Sequence, residues 1–244
     1  PIFWAWNYDE SKPSGERDRY VQRLRVYPHA LRAANAYYSP NKKALLFGYF
    51  PGPLGMVFSC LSHDIVAHET THALLDGMNR RFIEDNNPDT LAFHEAFADL
   101  IALFQHFTLP EVMRHQIAKT RGDLGTQSLL GELAREFGEA TGRYGALRNA
   151  IGDWGPDKVW RPIEPDPRKL HETAEAHGRG AILVAAVFGA FLAAYRARVE
   201  DLVRLATAGS GVLPQGAIHP DLCERLAGEA SGTAREFLNI CIRA

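Results

Sequence analysis

Two pairs of polar residues, each pair four positions apart, constrain this chain more than anything else in its sequence. His68 and His72 sit in a stretch after Cys60 with helical periodicity, and Glu95 and Asp99 sit among Ala92, Phe93, Ala96, Phe97 and Ala98. Residues four apart share one face of an α-helix, one turn above each other. Carboxylates on the apolar side of a helix are costly unless something cationic meets them. The sequence therefore predicts two helices packed together, with the carboxylates of one meeting a cation held by the other. The bland reading, an exposed Glu–Asp pair on a solvated face, is contradicted by the apolar neighbours.

The motif His68-Glu69-Thr70-Thr71-His72 lets both imidazoles reach one metal ion. Zinc takes N and O ligands at about 2.0–2.2 Å in a tetrahedron and keeps one corner for water in a catalytic site. Glu95 would complete the ligand set, and Asp99 would accept the free ring N–H of a liganding histidine. Glu69 projects beside the metal rather than onto it. A third ligand further along the first helix is closed off, because Leu75 and Met78 stand where glycine and histidine would be needed. His94 points about 100° away from Glu95 on an ideal helix and reads as a packing or structural residue.

The chain has 244 residues, 46% of them hydrophobic and 23% charged, with 27 basic against 29 acidic side chains. That length can bury a sizeable core, and the composition excludes a disordered tail or a collagen-like fibre. With no basic excess to neutralise phosphates, nucleic acid is not expected as a partner. Cys60, Cys223 and Cys241 are odd in number and never form a CxxC pair; they read as small hydrophobes, with a single Cys223–Cys241 disulfide left open. The longest apolar run, 181–195, is shorter than the ~20 residues of a membrane span, so none is expected. Its Gly189, Ala193 and Ala194 suit a helix surrounded by other helices. No charged-then-apolar leader opens the sequence, and no compartment follows from it.

Strands come early and helices late, which predicts an α+β fold. Residues 1–8 suit an edge strand. A helix is expected over 17–36 from the spacing of Tyr20, Leu24, Tyr27 and Leu31, bent at Pro28. Strands at 35–38 and 44–50 flank the turn Ser39-Pro40-Asn41, and 56–60 reads as extended. Ser62 caps a helix that has Asp64 in its first turn and runs to Met78; Asp89 or Thr90 caps the next, over 91–107. Residues 111–151 read as helices broken at Gly122, Gly125 and Gly142, and 152–169, with Pro156, Pro162, Pro165 and Pro167, as loop. From His171 the chain is helical except for the turn-rich stretch 209–220. Residues 1–85 thus form a mixed α/β part carrying the histidine helix, and 86–244 a mainly helical part, in a single catalytic unit with the cleft between them.

The run Asp64-Ile65-Val66-Ala67-His68-Glu69-Thr70-Thr71-His72-Ala73, with the later Glu95-Ala96-Phe97-Ala98-Asp99, resembles the thermolysin-like zinc peptidases of the gluzincin group. Asn35-Ala36-Tyr37-Tyr38 resembles that family's substrate-holding edge strand. Leu147-Arg148-Asn149 resembles the segment whose arginine contacts a substrate carbonyl. His177-Gly178-Arg179-Gly180-Ala181-Ile182 resembles the segment whose histidine stabilises the oxyanion, and Glu172 sits where an acidic residue orients that histidine.

The resemblance implies a zincin-like fold and one catalytic zinc ion held by His68, His72 and Glu95. It further implies Glu69 as general base, His177 as oxyanion donor, and a peptide or protein substrate aligned by Asn35, Ala36 and Arg148. Ile65, Leu147 and Met56 would line an apolar pocket, giving cleavage on the amino side of a hydrophobic residue. One alternative is a zinc-stabilised domain that binds peptides or regulates a partner without turnover. Another keeps the site but hydrolyses a different amide or trims amino termini, with Glu84 or Asp85 as the amine clamp.

The chain departs from the family in four places. Twenty-two residues separate His72 from Glu95, so the loop near 80–90 is enlarged. Residues 77–93 hold no tyrosine to donate to the oxyanion, which leaves Arg80 or Arg81 as stand-ins. Asp64 matches a family calcium ligand, but His106, with Gln105 beside it, stands where a glutamate is expected, and this speaks against calcium. The part before the zinc helix is shorter than the family's N-terminal β-rich domain, as in a trimmed version.

Overall fold

The computed structural model describes residues 23–52, 55–78, 82, 84, 86–125 and 163–243, together with the backbone of short strands at 6–8, 18–20, 152–154 and 160–162. The fold is α+β. A mixed sheet of four strands packs on one helix, and four further helices build a larger core beyond it.

The strands are β1 (Trp6–Tyr8), β2 (Asp18–Tyr20), β3 (Arg25–Leu31), β4 (Ala36–Ser39), β5 (Ala44–Gly52) and β6 (Gly55–Phe58). β1 and β2 pair with each other, Trp6 opposite Tyr20. In the main sheet β5 is central, with β3 parallel on one flank and β4 antiparallel on the other, and β6 pairs with the far end of β5. The expected strand pair around Ser39-Pro40-Asn41 is thus present. The helix expected over 17–36 is not: its middle is β3. Pro28 has no N–H to give a ladder, which a strand tolerates at a sheet edge or a bulge. β3 offers both, since it lies at the sheet edge and its register to β5 shifts between Tyr27 and Leu31.

After a 3-10 turn at Ser59–Leu61 come α1 (His63–Met78), α2 (Pro88–Phe107) and α3 (Pro110–Thr120). Ser62 caps α1, its Oγ 3.5 Å from the Ile65 N–H. α2 starts earlier than expected. Asn87 is the cap and accepts from the Asp89 N–H at 2.8 Å, while Pro88 fills the first helical position, where a missing N–H costs nothing. α3 stops at Arg121 (φ 56°) and Gly122 (φ 86°) in the left-handed region. The expected helix break at Gly142 lies outside the described residues.

Strands β7 (Gly152–Trp154) and β8 (Trp160–Pro162) pair antiparallel, and Pro167–His171 forms a 3-10 turn, where the prolines had predicted only loop. The last two helices are α4 (Ala176–Ala206) and α5 (Pro220–Arg243).

Two cores result. Between the sheet and α1 lie Tyr38, Leu45, Phe47 and Ala73, with Ala36, Ile65 and Val66 half-buried against them. The larger core joins α2, α3, α4 and α5 through Phe104, Phe107, Met113, Phe188, Phe191 and Leu226; each such side chain contributes on the order of 1.5–3 kcal/mol by leaving water. α2 sits between the two. Its alanines at 92, 96, 98 and 102 are buried and let neighbouring helices come close.

The apolar run 181–195 is one side core, with Val184, Phe188, Phe191, Leu192 and Tyr195 buried. Its other side is exposed at Leu183, Ala186, Ala190 and Ala193, so among the described residues α4 is not surrounded by helices, contrary to what its small residues lead one to expect. At 31 residues α4 is longer than the run it carries, and by length and composition alone it is long and apolar enough to cross a membrane. All three cysteines are free, which removes the Cys223–Cys241 disulfide; Cys223 is buried.

Candidate metal centre

α1 and α2 run antiparallel, and their shared seam is a ladder of polar pairs. Asp64 meets His106, His68 meets Asp99, and His72 meets His94 and Glu95. The i+4 spacing of Asp64, His68, His72 and Asp76 puts all four on one side of α1, and Glu95, Asp99 and His106 answer from α2 in reverse order.

At the centre, Glu95 Oε2 lies 3.4 Å from His68 Nε2 and 3.4 Å from His72 Nε2, and the two nitrogens are 2.8 Å apart. This Oε2 is buried yet makes no well-aligned hydrogen bond. Ligands bound at about 2.0–2.2 Å to a tetrahedral ion stand ~3.3–3.5 Å from one another. The two nitrogen–oxygen separations have that spacing, the two nitrogens stand closer at 2.8 Å and would have to part by about half an ångström, and two imidazole nitrogens with one carboxylate oxygen are a zinc-type donor set. The residues present fit a zinc ion.

The outer contacts fix these rings. Asp99 Oδ1 accepts from His68 Nδ1 at 2.8 Å, which turns Nε2 toward the centre. Burial works to lower the His68 pKa, but Asp99 and Glu95 overcome it and hold it well above the ordinary value. Burial likewise opposes ionisation of Glu95, and the His68 and His72 rings override that and push its pKa down.

His72 Nδ1 lies 2.6 Å from His94 Nδ1, the two rings stacked with centroids 4.7 Å apart. Burial, then the neighbouring His72, lowers the His94 pKa to about 4. A neutral His94 can accept the His72 Nδ1–H and so aim Nε2 at the centre. His94 thus stands outside the triad, against His72, a specific partner that the sequence did not reveal.

Glu69 is buried beside the triad, and its Oε2 accepts the backbone N–H of Tyr38 at 2.8 Å. β4 thus grips this carboxylate from the edge of the sheet. The Tyr38 ring turns the other way: its hydroxyl donates to Asp76 at 2.6 Å, and Lys43 Nζ meets the same carboxylate at 3.1 Å. Burial and the hydrogen bond to Asp76 raise the Tyr38 pKa. Asn35 is exposed just before β4, its side chain accepting from the Ala36 N–H at 3.0 Å. Ala36 and Ile65 are half-buried in the layer between sheet and α1, and Met56 is exposed on β6.

His177 reaches the centre from α4, its Nε2 3.4 Å from Glu95 Oε2. Its partner is not Glu172, which ends the 3-10 turn with its backbone bonded to Lys169. Glu175 takes that place. Its carboxylate caps α4 by accepting the His177 and Gly178 N–H groups at 3.1 and 2.7 Å, and it meets His177 Nδ1 at 2.7 Å. Burial lowers the His177 pKa, but Glu175 and Glu95 more than reverse this and raise it. The available signal was the acidic residue directly before the helical run, a capping position.

Two devices set α4 against α2. Arg179 Nε bonds Asp89 Oδ1 at 2.5 Å while its guanidinium also reaches the Leu170 and Thr173 carbonyls. Gly180 lies so close to α2 that a Cβ there would come within 2.6 Å of the Ala92 carbonyl oxygen. Leu147, Arg148, Arg80, Arg81 and Asp85 lie outside the described residues; Glu84 is exposed.

Compared with protein-family models, with curated proteins and with solved structures, the chain matches none.

Proposed function

We propose that this chain is a zinc-dependent peptidase of zincin-like, thermolysin-like type, cutting on the amino side of hydrophobic residues. The observation that carries the reading is the convergence of His68 Nε2, His72 Nε2 and an otherwise unbonded Glu95 oxygen, with the Glu69 carboxylate held next to them by the Tyr38 N–H.

His68, His72 and Glu95 would hold the zinc ion, which supplies Lewis-acid polarisation when bound. Glu69 takes the proton of the attacking water and returns it to the leaving amine. Its tether to β4 keeps one oxygen occupied and the other free for that exchange. His177, anchored through Nδ1 by Glu175, offers its Nε2 side to the oxyanion that forms on the substrate carbonyl. β4 has no strand on its outer side among the described residues, so an extended peptide can add there, with Asn35 and Ala36 at its start.

Hydrolysis of a peptide library by the metal-loaded chain tests this. Wild type is expected to cleave, and Glu69→Gln to lose activity by about 10²–10⁴-fold while binding the same zinc. Equal zero rates for both, with zinc bound in both, would leave a peptide-binding domain and overturn the peptidase reading.

A further inference from the structure

We propose that His63, Asp64 and His106 form a second metal site at the far end of the α1–α2 seam, for a nitrogen-preferring divalent cation of the zinc, cobalt or nickel kind. His63 and Asp64 open α1, and His106 lies in the last turn of α2. Antiparallel packing brings them to one rung of the ladder. Asp64 Oδ1 is 2.7 Å from His106 Nδ1 and 3.6 Å from His63 Nδ1. One donor atom from each of the three lies within 4.8 Å of the others. The two rings meet edge to face, centroids 5.8 Å apart.

His106 supplies an independent argument. It is only 6% exposed and sits among Ala102, Leu103, Phe104 and Phe107, all buried. Its Nε2 is buried with no hydrogen-bond partner. A leucine or phenylalanine would fill this volume without an orphaned nitrogen but would leave the buried Asp64 carboxylate without its ring partner, so the histidine serves a polar contact through Nδ1 rather than packing. The contact with Asp64 accounts for one ring nitrogen, and it does not account for His63 converging on the same carboxylate oxygen from the surface.

The donor set decides the class of ion. Calcium asks for six to eight oxygens, whereas two imidazoles and one carboxylate suit zinc, cobalt or nickel. The His63 side chain is 44% exposed, so it is free to adjust and leaves the ion a face open to water. Asp64 and His68 are four residues apart, about 6 Å along the helix. That exceeds the ~3.5–4 Å of paired catalytic metals, so this ion would pin the start of α1 to the end of α2 and take no part in the chemistry. The site does not depend on the peptidase reading.

The test is a metal count on the full chain, stripped with chelator and dialysed against Co²⁺, with visible absorption reporting coordination. Wild type should take up two equivalents. His63→Ala, a change at an exposed residue, should take up one, and so should His68→Ala/His72→Ala. Adding His63→Ala to that double variant should abolish binding. Two equivalents retained in His63→Ala, displacement of the second equivalent by Ca²⁺, or a single equivalent lost only with His68 and His72, would each overturn the proposal. A single equivalent lost only with His63 would support this site and overturn the peptidase centre instead. If the double variant does not fold, the wild-type and His63→Ala counts decide.

Discussion

Glu95 is the residue on which the centre turns, because one of its oxygens faces three ring nitrogens at 3.4 Å and bonds properly with none. Replacing it by alanine should release the zinc of this centre, and a zinc count unchanged from wild type in elemental analysis would reassign the third ligand. Asp99 touches only the back of His68, so Asp99→Ala should keep the metal but bind it about 10–100-fold more weakly, as competition with a chelator would read. The two glutamates near His177 separate in the same way. On the proposed reading, Glu175→Gln should lower kcat with little change in KM, because it loosens the ring that would face the oxyanion, while Glu172→Gln should leave both unchanged. A loss confined to Glu172→Gln would return the role to the residue that sequence spacing had chosen.

At the scale of elements, α4 delivers His177 only because it lies almost backbone to backbone on α2. A methyl group at Gly180 would meet the Ala92 carbonyl at 2.6 Å and the Ala96 nitrogen at 3.2 Å, neither of which can rotate away. Gly180→Ala should therefore cost about 1–3 kcal/mol, the usual range for overpacking, seen as a lower urea midpoint. It should also reduce peptide cleavage while zinc remains bound. The Tyr38 hydroxyl is a second joint between elements. Tyr38→Phe leaves the buried Asp76 with Lys43 alone, and should cost about 1–3 kcal/mol in the same titration without releasing metal.

The contacts differ in how far the sequence revealed them. His68, His72, Glu95 and Asp99 were readable because a four-residue spacing on a helix leaves little choice of direction. Glu175 and Glu172 both precede His177, and only the 3-10 turn at Pro167–His171 decides which of them comes round to it. The His106–Asp64 pair joins residues 42 apart, and nothing local announces it until the antiparallel register of α1 and α2 is known. β3 misled for a different reason. Tyr20, Leu24, Tyr27 and Leu31 have helical spacing, but they are spread over β2, β3 and the segment between, and Tyr27 is exposed.

Across the whole molecule the centre lies between two hydrophobic cores, one under the sheet and one among the helices, and α1 and α2 meet there over polar side chains. A chain stripped of metal would carry at this seam buried carboxylates and imidazoles whose desolvation is only partly repaid. Metal affinity is then also folding energy. A ligand bound only by the folded chain stabilises it by about 2.7 kcal/mol at one hundred times its Kd and about 4.1 kcal/mol at one thousand times. The melting temperature of the stripped chain should therefore keep rising with free zinc concentration well past half-saturation. His68→Ala/His72→Ala should show a much smaller rise, since its central triad is gone. Calorimetry across a zinc-buffer series reads both. A melting temperature indifferent to zinc in the wild type would mean that the α1–α2 seam closes without a cation, and that the orphaned oxygen of Glu95 is tolerated for some other reason.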